Sequence, residues 1–293
     1  MSTESAAAGY PADLLSLVED YLAVLDFGAD PRAARLTEAM RYSLLAGGKR
    51  IRPVLTLATA RGCGAEPTAA LPTAAALELI HTYSLIHDDL PAIDDDTLRR
   101  GRPTCHVAYG EDVAILAGDG LFAEAFNLVL ARQSGRPDVV LAALAEIAAA
   151  TGVQGMVGGQ YMDVAGEAAD DDDLRTVHAL KTGRLIGAAV VCGALLSGAE
   201  DVGPYRAFAA ELGLLFQIVD DILDETGAVH ELGKSVGKDR AMAKVTYVSR
   251  FGMERASALA DEAKSRAQEL LGELPGDNAD LAAVTRFIHS RRR

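Results

Sequence analysis

The sequence predicts an all-α protein folded as one large helical bundle, and three observations carry that prediction. Ala and Leu dominate a chain that is 49% hydrophobic, only 5% aromatic and without tryptophan; both residues give up little conformational freedom on entering a helix. Apolar positions recur at helical spacing along most of the chain, and no segment sustains the alternation of a half-buried strand. The punctuation between periodic stretches is short: GGKR, GRP, SGRPD and ELPGD. No low-complexity linker divides the chain, so residues 1–293 read as a single domain.

In order, helices are expected over residues 10–25, 31–46, 51–62, 68–90, 111–132, 137–164, 171–198, 201–226, 239–272 and 278–291. The fourth stops where Pro91 would clash with the carbonyl of His87. The seventh starts on the acidic run Asp170–Asp173, where carboxylates suit the positive end of the helix dipole. The Val-rich VVCG patch lies inside that same helical stretch and is read as helix.

Lys and Arg number 28 against 42 Asp and Glu, a formal charge of −14. This excludes a broad basic face for nucleic acid and disfavours anionic lipid surfaces. Any bound anion needs metal ions or a local basic cluster. Cys63, Cys105 and Cys192 are far apart and form no CxxC pair, which points away from zinc and from a disulfide framework and toward a reduced, cytoplasmic compartment. The N-terminal stretch lacks a basic n-region and a long apolar run, and no window reaches about 18 uninterrupted apolar residues, so neither a signal peptide nor a membrane span is expected.

Two carboxylate clusters stand out. In His87-Asp88-Asp89-Leu90-Pro91-Ala92-Ile93-Asp94-Asp95-Asp96, five aspartates fall within nine residues at the end of an apolar helix. Because of Pro91 the helix should end near Leu90, and Asp94 returns through a loop. In Gln217-Ile218-Val219-Asp220-Asp221-Ile222-Leu223-Asp224, Asp220 and Asp224 share one helical face. Carboxylates on so apolar a helix either face solvent or face a polar cavity with metal. All donors are oxygens, which suits Mg²⁺, an ion that keeps waters and binds together with substrate phosphates. One such cluster alone reads as an acidic helix end; two can hold several ions around one polyphosphate.

Local cations complete the pattern. Arg99, Arg100 and Arg102 follow the first cluster in LRRGRP, and Lys49, Arg50 and Arg52 lie upstream in GGKRIRP, which lacks the P-loop spacing. His81 sits about two turns before Asp88 on roughly the same face. Lys181 lies in an apolar helix, where it needs an anion, and Lys234 and Lys244 follow the second cluster. Each alone also reads as surface charge or, for His81, as core.

Seven segments in this order resemble the trans-prenyl diphosphate synthases: LLAGGKRIRP, LELIHTYSLIHDDLPAIDDDTLRRGRPTCH, AILAGDGL, GMVGGQYMD, KTGRLI, FQIVDDILDETG and LGKSVGKDRAMAKVTY. The resemblance runs from about Leu36 to Arg293 and is closest to the bacterial farnesyl diphosphate synthase branch. It implies an isoprenoid-synthase bundle, a homodimer, and condensation of dimethylallyl or geranyl diphosphate with isopentenyl diphosphate. It also implies up to three Mg²⁺ ions, on Asp88 and Asp94 from one wall and on Asp220 with Asp224 in support from the other. Asp89 joins the metal group through water or at second hand. Arg99, Lys181, Lys234 and Lys244 are implied around the allylic diphosphate, Lys49, Arg52, His81 and Arg100 around isopentenyl diphosphate, and Lys181, Thr182 and Gln217 beside the reacting carbons. Gln160 and Asp163 match a site-lining motif. The glycine-containing stretch after Asp224 is a plausible lid, and the final Arg-Arg-Arg is read as a solvated tail, with a reach to isopentenyl diphosphate as the alternative.

Tyr83 and Ser84 lie five and four residues before Asp88, positions that set product length in the family. A side chain as large as Tyr83 favours a C15 product, farnesyl diphosphate; geranylgeranyl diphosphate, C20, is the alternative. Two other classes compete. A class I terpene cyclase binds one diphosphate and needs no GGKRIRP. An inactive regulatory subunit tends to lose an aspartate motif, and both are whole here.

Overall fold

The computed structural model describes residues 9–28, 30–166, 170–226 and 245–291. Lys234, Lys244, the lid expected after Asp224 and the helix start expected at 239 lie outside them. Helices account for nearly all regular structure: α1 Ala12–Ala23, α2 Ala34–Leu44, α3 Ile51–Gly62, α4 Leu71–Asp88, α5 Cys105–Tyr109, α6 Glu111–Arg132, α7 Pro137–Thr151, α8 Met156–Ala165, α9 Asp171–His178, α10 Arg184–Leu196, α11 Gly203–Thr226, α12 Tyr247–Phe251, α13 Met253–Glu273 and α14 Ala279–Ser290. Two 3₁₀ turns, Pro31–Ala33 and Pro67–Ala70, precede α2 and α4.

Residues 51–60 of α3 are all buried, and the helix runs between α4 and α10. The α3–α10 approach is close because Gly193 carries no side chain: a Cβ there would sit 2.5 Å from the Thr56 carbonyl oxygen. Around this centre α4 packs along α6, and α11 packs along α13, with one aliphatic core shared by all of them. By length and composition the stretches Glu111–Arg132, Pro137–Ala165 and Asp171–Leu196 are apolar enough to cross a bilayer. In the fold each is a bundle element packed on its neighbours.

Several features depart from the expected elements: the described part of the helix expected over 239–272 is interrupted at Gly252 between α12 and α13, α5 forms where no helix is expected, and three further departures bear on the site. The helix expected over 137–164 breaks between α7 and α8, where Gly155 turns back on α7 so tightly that a Cβ would collide with the Ala150 carbonyl. The helix expected over 171–198 contains a π turn, Ala179–Gly183, between α9 and α10. LRRGRP forms a two-stranded hairpin, β1 Leu98–Arg99 against β2 Arg102–Pro103. Its turn residues Arg100 and Gly101 both take positive φ, 53° and 72°, the geometry that two-residue hairpins demand. The acidic run is a helix start as expected, with Asp170 and Asp173 forming a reciprocal capping box on α9.

Candidate active site

The first aspartate wall is built by the end of α4. The helix stops at Asp88, and the loop folds back so that the Asp94 N–H donates to the Asp88 carbonyl at 2.9 Å, which places both residues side by side and half exposed. Asp89 turns the other way. It is 3% exposed, and its carboxylate accepts from Arg99 Nε at 2.9 and 2.8 Å and from Nη2 at 2.6 Å. Asp89 is thus turned away from the half-exposed Asp88–Asp94 pair, and its two oxygens grip the guanidinium that the hairpin delivers. Burial works against the charge of Arg99, but Asp89, with Asp88 and Asp96 further off, holds its pKa above the usual value.

The second wall is α11. Asp220 and Asp224 are partly exposed on one face, while Asp221 is buried. Asp221 accepts from Gln217 Nε2 at 2.8 Å and from the Tyr247 backbone N–H at 2.7 Å. With its NH₂ group thus committed, Gln217 turns its carbonyl oxygen to the Thr182 hydroxyl, which donates at 3.0 Å. Thr182 sits in the π turn beside Lys181, whose Nζ meets Asp163 Oδ2 of α8 at 2.6 Å. The anion that an apolar-helix lysine requires is thus supplied. A Cβ on Gly159 would collide with the Lys181 backbone, so α8 can approach the turn only with glycine there. π turns occur often at functional sites because they re-aim side chains within an otherwise regular helix.

Between the walls lies a basic cluster. Arg100 packs on Gly48, where a Cβ would meet its guanidinium at 2.8 Å, and donates to the Gly47 carbonyl. Arg50, 2% exposed and left-handed at φ 47°, bonds Glu78 and Glu19, each at 2.7 Å, and the Leu44 carbonyl at 2.7 Å. That anchorage fixes the loop that carries Lys49 and the start of α3, which carries Arg52. Arg52 is buried with Nε unpartnered, and burial lowers its pKa, with Glu78, Asp220 and Arg100 acting on it in turn. Burial, reinforced by Arg52, Arg100, Arg99 and Arg50, keeps His81 neutral, its pKa well below the ordinary value. Lys49 Nζ lies 5.5 Å from the Phe287 ring centre of α14. Arg52 thus lies within electrostatic reach of Glu78 on α4, Asp220 on α11 and Arg100 on the hairpin.

The polyprenyl synthetase family model matches residues 33–288. The chain belongs to that family. The geranylgeranyl diphosphate synthase of Cyanophora paradoxa is 45% identical over 260 residues, 87% of each chain. Among solved structures, the geranyltransferase of Helicobacter pylori complexed with magnesium and isoprenyl diphosphate superposes with a TM-score of 0.84 at 30% identity, covering 99% of this chain and 97% of that one. An FPP/GFPP synthase from Zymomonas mobilis gives 0.82 at 35% identity, covering 94% and 95%. As a polyprenyl synthetase the chain is a prenyltransferase of the trans type with the all-helical fold of those enzymes.

Within this polyprenyl synthetase the donor chemistry fits Mg²⁺. Among the described residues no three His, Cys, Asp or Glu side chains converge tightly enough to hold an ion alone. Magnesium needs only one or two carboxylates beside water and phosphate, and Asp88 with Asp94, and Asp220 with Asp224, offer such pairs. Asp220 Oδ1 already meets a positive group, Arg291 Nη2 at 3.4 Å. That contact corrects the solvated-tail reading for Arg291, which is 8% exposed; Arg292 and Arg293 lie outside the described residues. Sequence reasoning also left Arg50, Glu78, Asp221, His178 and Tyr247 unassigned. A glutamate inside the apolar run LPTAAALELIH was a signal for Glu78, since a lone carboxylate on a buried helix requires a cation.

Proposed function

We propose that this enzyme condenses allylic diphosphates with isopentenyl diphosphate, and that its main product is geranylgeranyl diphosphate. One observation carries the reaction: two aspartate walls, α4 and α11, share a basic cluster whose buried Arg52 lacks a partner at Nε. An acidic wall with metal suits one diphosphate, and a metal-free basic pocket suits a second. Magnesium bound at the aspartates would supply charge to the departing diphosphate. Arg99, Lys181 and Lys234 hold the allylic diphosphate; Asp89 takes the Nε/Nη2 edge of Arg99, so the opposite edge is the one left for phosphate. Lys49, Arg52 and Arg100 hold isopentenyl diphosphate, and neutral His81 adds a hydrogen-bonding group without a fourth charge.

The allylic C–O bond breaks with its electron pair going to the diphosphate. The Thr182 hydroxyl donates a hydrogen bond to Gln217 Oε1, which leaves its oxygen lone pairs to stabilise the cation. The double bond of isopentenyl diphosphate, held close, forms the new C–C bond, and a proton passes to the released diphosphate. Water has to be excluded throughout, because it would quench the cation.

The C20 product is supported by the name of the 45%-identical relative. A specific observation favours C15 as the second reading. The Tyr83 ring packs edge-on against Phe122 at 5.1 Å and His87 at 5.5 Å, and Phe122 packs on Phe126, an aromatic stack beside the path of a growing tail. A homodimer is supported by α6, whose Ile115, Phe122 and Leu130 share one exposed face. The three unpaired cysteines support a cytoplasmic setting. Incubation with dimethylallyl and isopentenyl diphosphates and Mg²⁺, followed by chain-length analysis, tests the reading directly. Asp88→Ala and Asp220→Ala should each lower turnover by several orders of magnitude in folded protein; near-parental turnover in either removes the assignment.

A further inference from the structure

The loop that carries Lys49 is built from backbone that few residues adopt. Gly47, Gly48 and Arg50 take positive φ, at 81°, 137° and 47°. For Arg50, which has a Cβ, that conformation is strained and persists only where the surroundings hold it. The hairpin holds one side of the loop through Arg100 on the Gly47 carbonyl. The other side is held from the N-terminal end of the chain, which carries none of the residues assigned to the site. Tyr10, just before α1, donates its hydroxyl to the Lys49 carbonyl at 2.7 Å, and Glu19 of α1 meets Arg50 Nε at 2.7 Å. Leu14, Val18 and Leu22 recur every fourth residue and are buried. They seat α1 on α3 and α4, so both clamps are fixed relative to the aspartate wall at the end of α4.

Tyr10 also acts on Lys49 through its ring. The ring packs on Phe287 of α14 at 4.7 Å, and Phe287 is the ring over which Lys49 Nζ lies, at 5.5 Å. Lys49 is therefore set at both ends by one aromatic pair: its carbonyl by the Tyr10 hydroxyl, its ammonium by the Phe287 face. Tyr10 is buried, and burial together with the charge of Glu78 pushes its pKa up, so the hydroxyl keeps its proton. We propose that Tyr10 is a positioning residue for isopentenyl diphosphate: its hydroxyl fixes the Lys49 carbonyl and with it the aim of the Lys49 ammonium at the second diphosphate. The inference rests on Lys49 as a contact of isopentenyl diphosphate under the function proposed above. The effect is confined to one substrate, because Arg99 and Lys181 take their direction from Asp89 and Asp163 instead.

Tyr10→Phe removes the hydroxyl and keeps the ring against Phe287, so the variant tests aim and not packing. Steady-state kinetics are measured with each substrate varied in turn. The KM for isopentenyl diphosphate should rise about fivefold, the size expected from one lost hydrogen bond, with kcat and the allylic KM within about twofold of the parent. Lys49→Ala and the double variant with Tyr10→Phe should share one KM for isopentenyl diphosphate, because a residue that acts only through Lys49 then has nothing left to position. An isopentenyl diphosphate KM unchanged in Tyr10→Phe overturns the proposal and leaves the hydroxyl as part of the packing. An equal rise in both KM values overturns it too, and so does a loss in the Lys49→Ala background as large as that in the parent. If the parent makes no prenyl product from isopentenyl diphosphate, the proposed function falls together with this inference. If the parent is active and Tyr10→Phe matches it, only the inference falls.

Discussion

Replacing Asp89 by alanine separates two roles that a DDxxxxD motif confounds. In the structure Asp89 grips Arg99 through contacts of 2.6 to 2.9 Å, and the two side chains are 4% and 13% exposed. Without Asp89, Arg99 keeps, among the described residues, Asp96 at 3.8 Å and the more distant charge of Asp88. Removing one partner of a buried ion pair costs about 3–5 kcal/mol, because the other charge stays buried. Asp96 and the slight exposure of Arg99 put this case near the lower end, about 3 kcal/mol. For a chain of this size that lowers the thermal midpoint by on the order of 6 °C, measurable by calorimetry or circular dichroism. The same variant should bind Mg²⁺ with inorganic diphosphate about as well as the parent, whereas Asp88→Ala should not, and its KM for the allylic diphosphate should rise because Arg99 loses its aim. The reasoning is refuted by a midpoint within about 1 °C of the parent together with metal affinity as low as in Asp88→Ala. Asp89 would then be a ligand and its bond to Arg99 incidental.

Lys49→Ala and Arg52→Ala should mainly raise the KM for isopentenyl diphosphate, each lost charge-assisted contact costing about 1.5–3 kcal/mol; a rise confined to the allylic KM would mean that the two diphosphate sites are reversed. Tyr83→Ala should lengthen the main product by at least one C5 unit in soluble protein; an unchanged product profile would make the aromatic stack ordinary packing and place the pocket floor elsewhere. Burial pushes the His178 imidazole down to about 4, below its unfolded value near 6.5, so its contribution to stability is complete above 6.5 and declines as pH falls toward 4 by about 1.4 kcal/mol per unit. His178→Phe should flatten the stability–pH slope between 6.5 and 5, and an unaltered slope would show that the ring is protonated at no cost.

Much of the bundle was legible because its signals are local. The bounds of α3, α6 and the end of α11 follow from periodicity, and the α4 stop followed from Pro91, within two residues. What escaped depends on partners remote in sequence. The break before α8 is set by how Gly155 meets α7, and apolar periodicity continues across it. The π turn adds one residue to an otherwise regular pattern, which a period of 3.6 does not register. The hairpin strands are two residues each, too short for alternation to show. At the site, residue type located the acidic and basic groups, but not which charge pairs with which. Asp89 and Asp88 are neighbours in sequence, yet one is buried against an arginine and the other is half exposed, and Arg291 was unreadable because its partner lies 71 residues away.

The π turn also makes the site sensitive to length as well as to composition. An extra residue in one turn rotates everything before it by about 100° relative to a regular helix, and Ala179–Gly183 places that rotation between α9 and α10. Lys181 and Thr182 lie inside the rotated turn, one facing Asp163 and the other Gln217. A single-residue deletion anywhere in 179–183 would heal the helix, since an unbroken α-helix satisfies the backbone equally well. The cost would fall on direction: two polar side chains that now diverge toward separate partners would be carried around the axis together. Here the number of residues specifies the chemistry as much as their identity does, and a frame-preserving deletion would be more damaging than most substitutions.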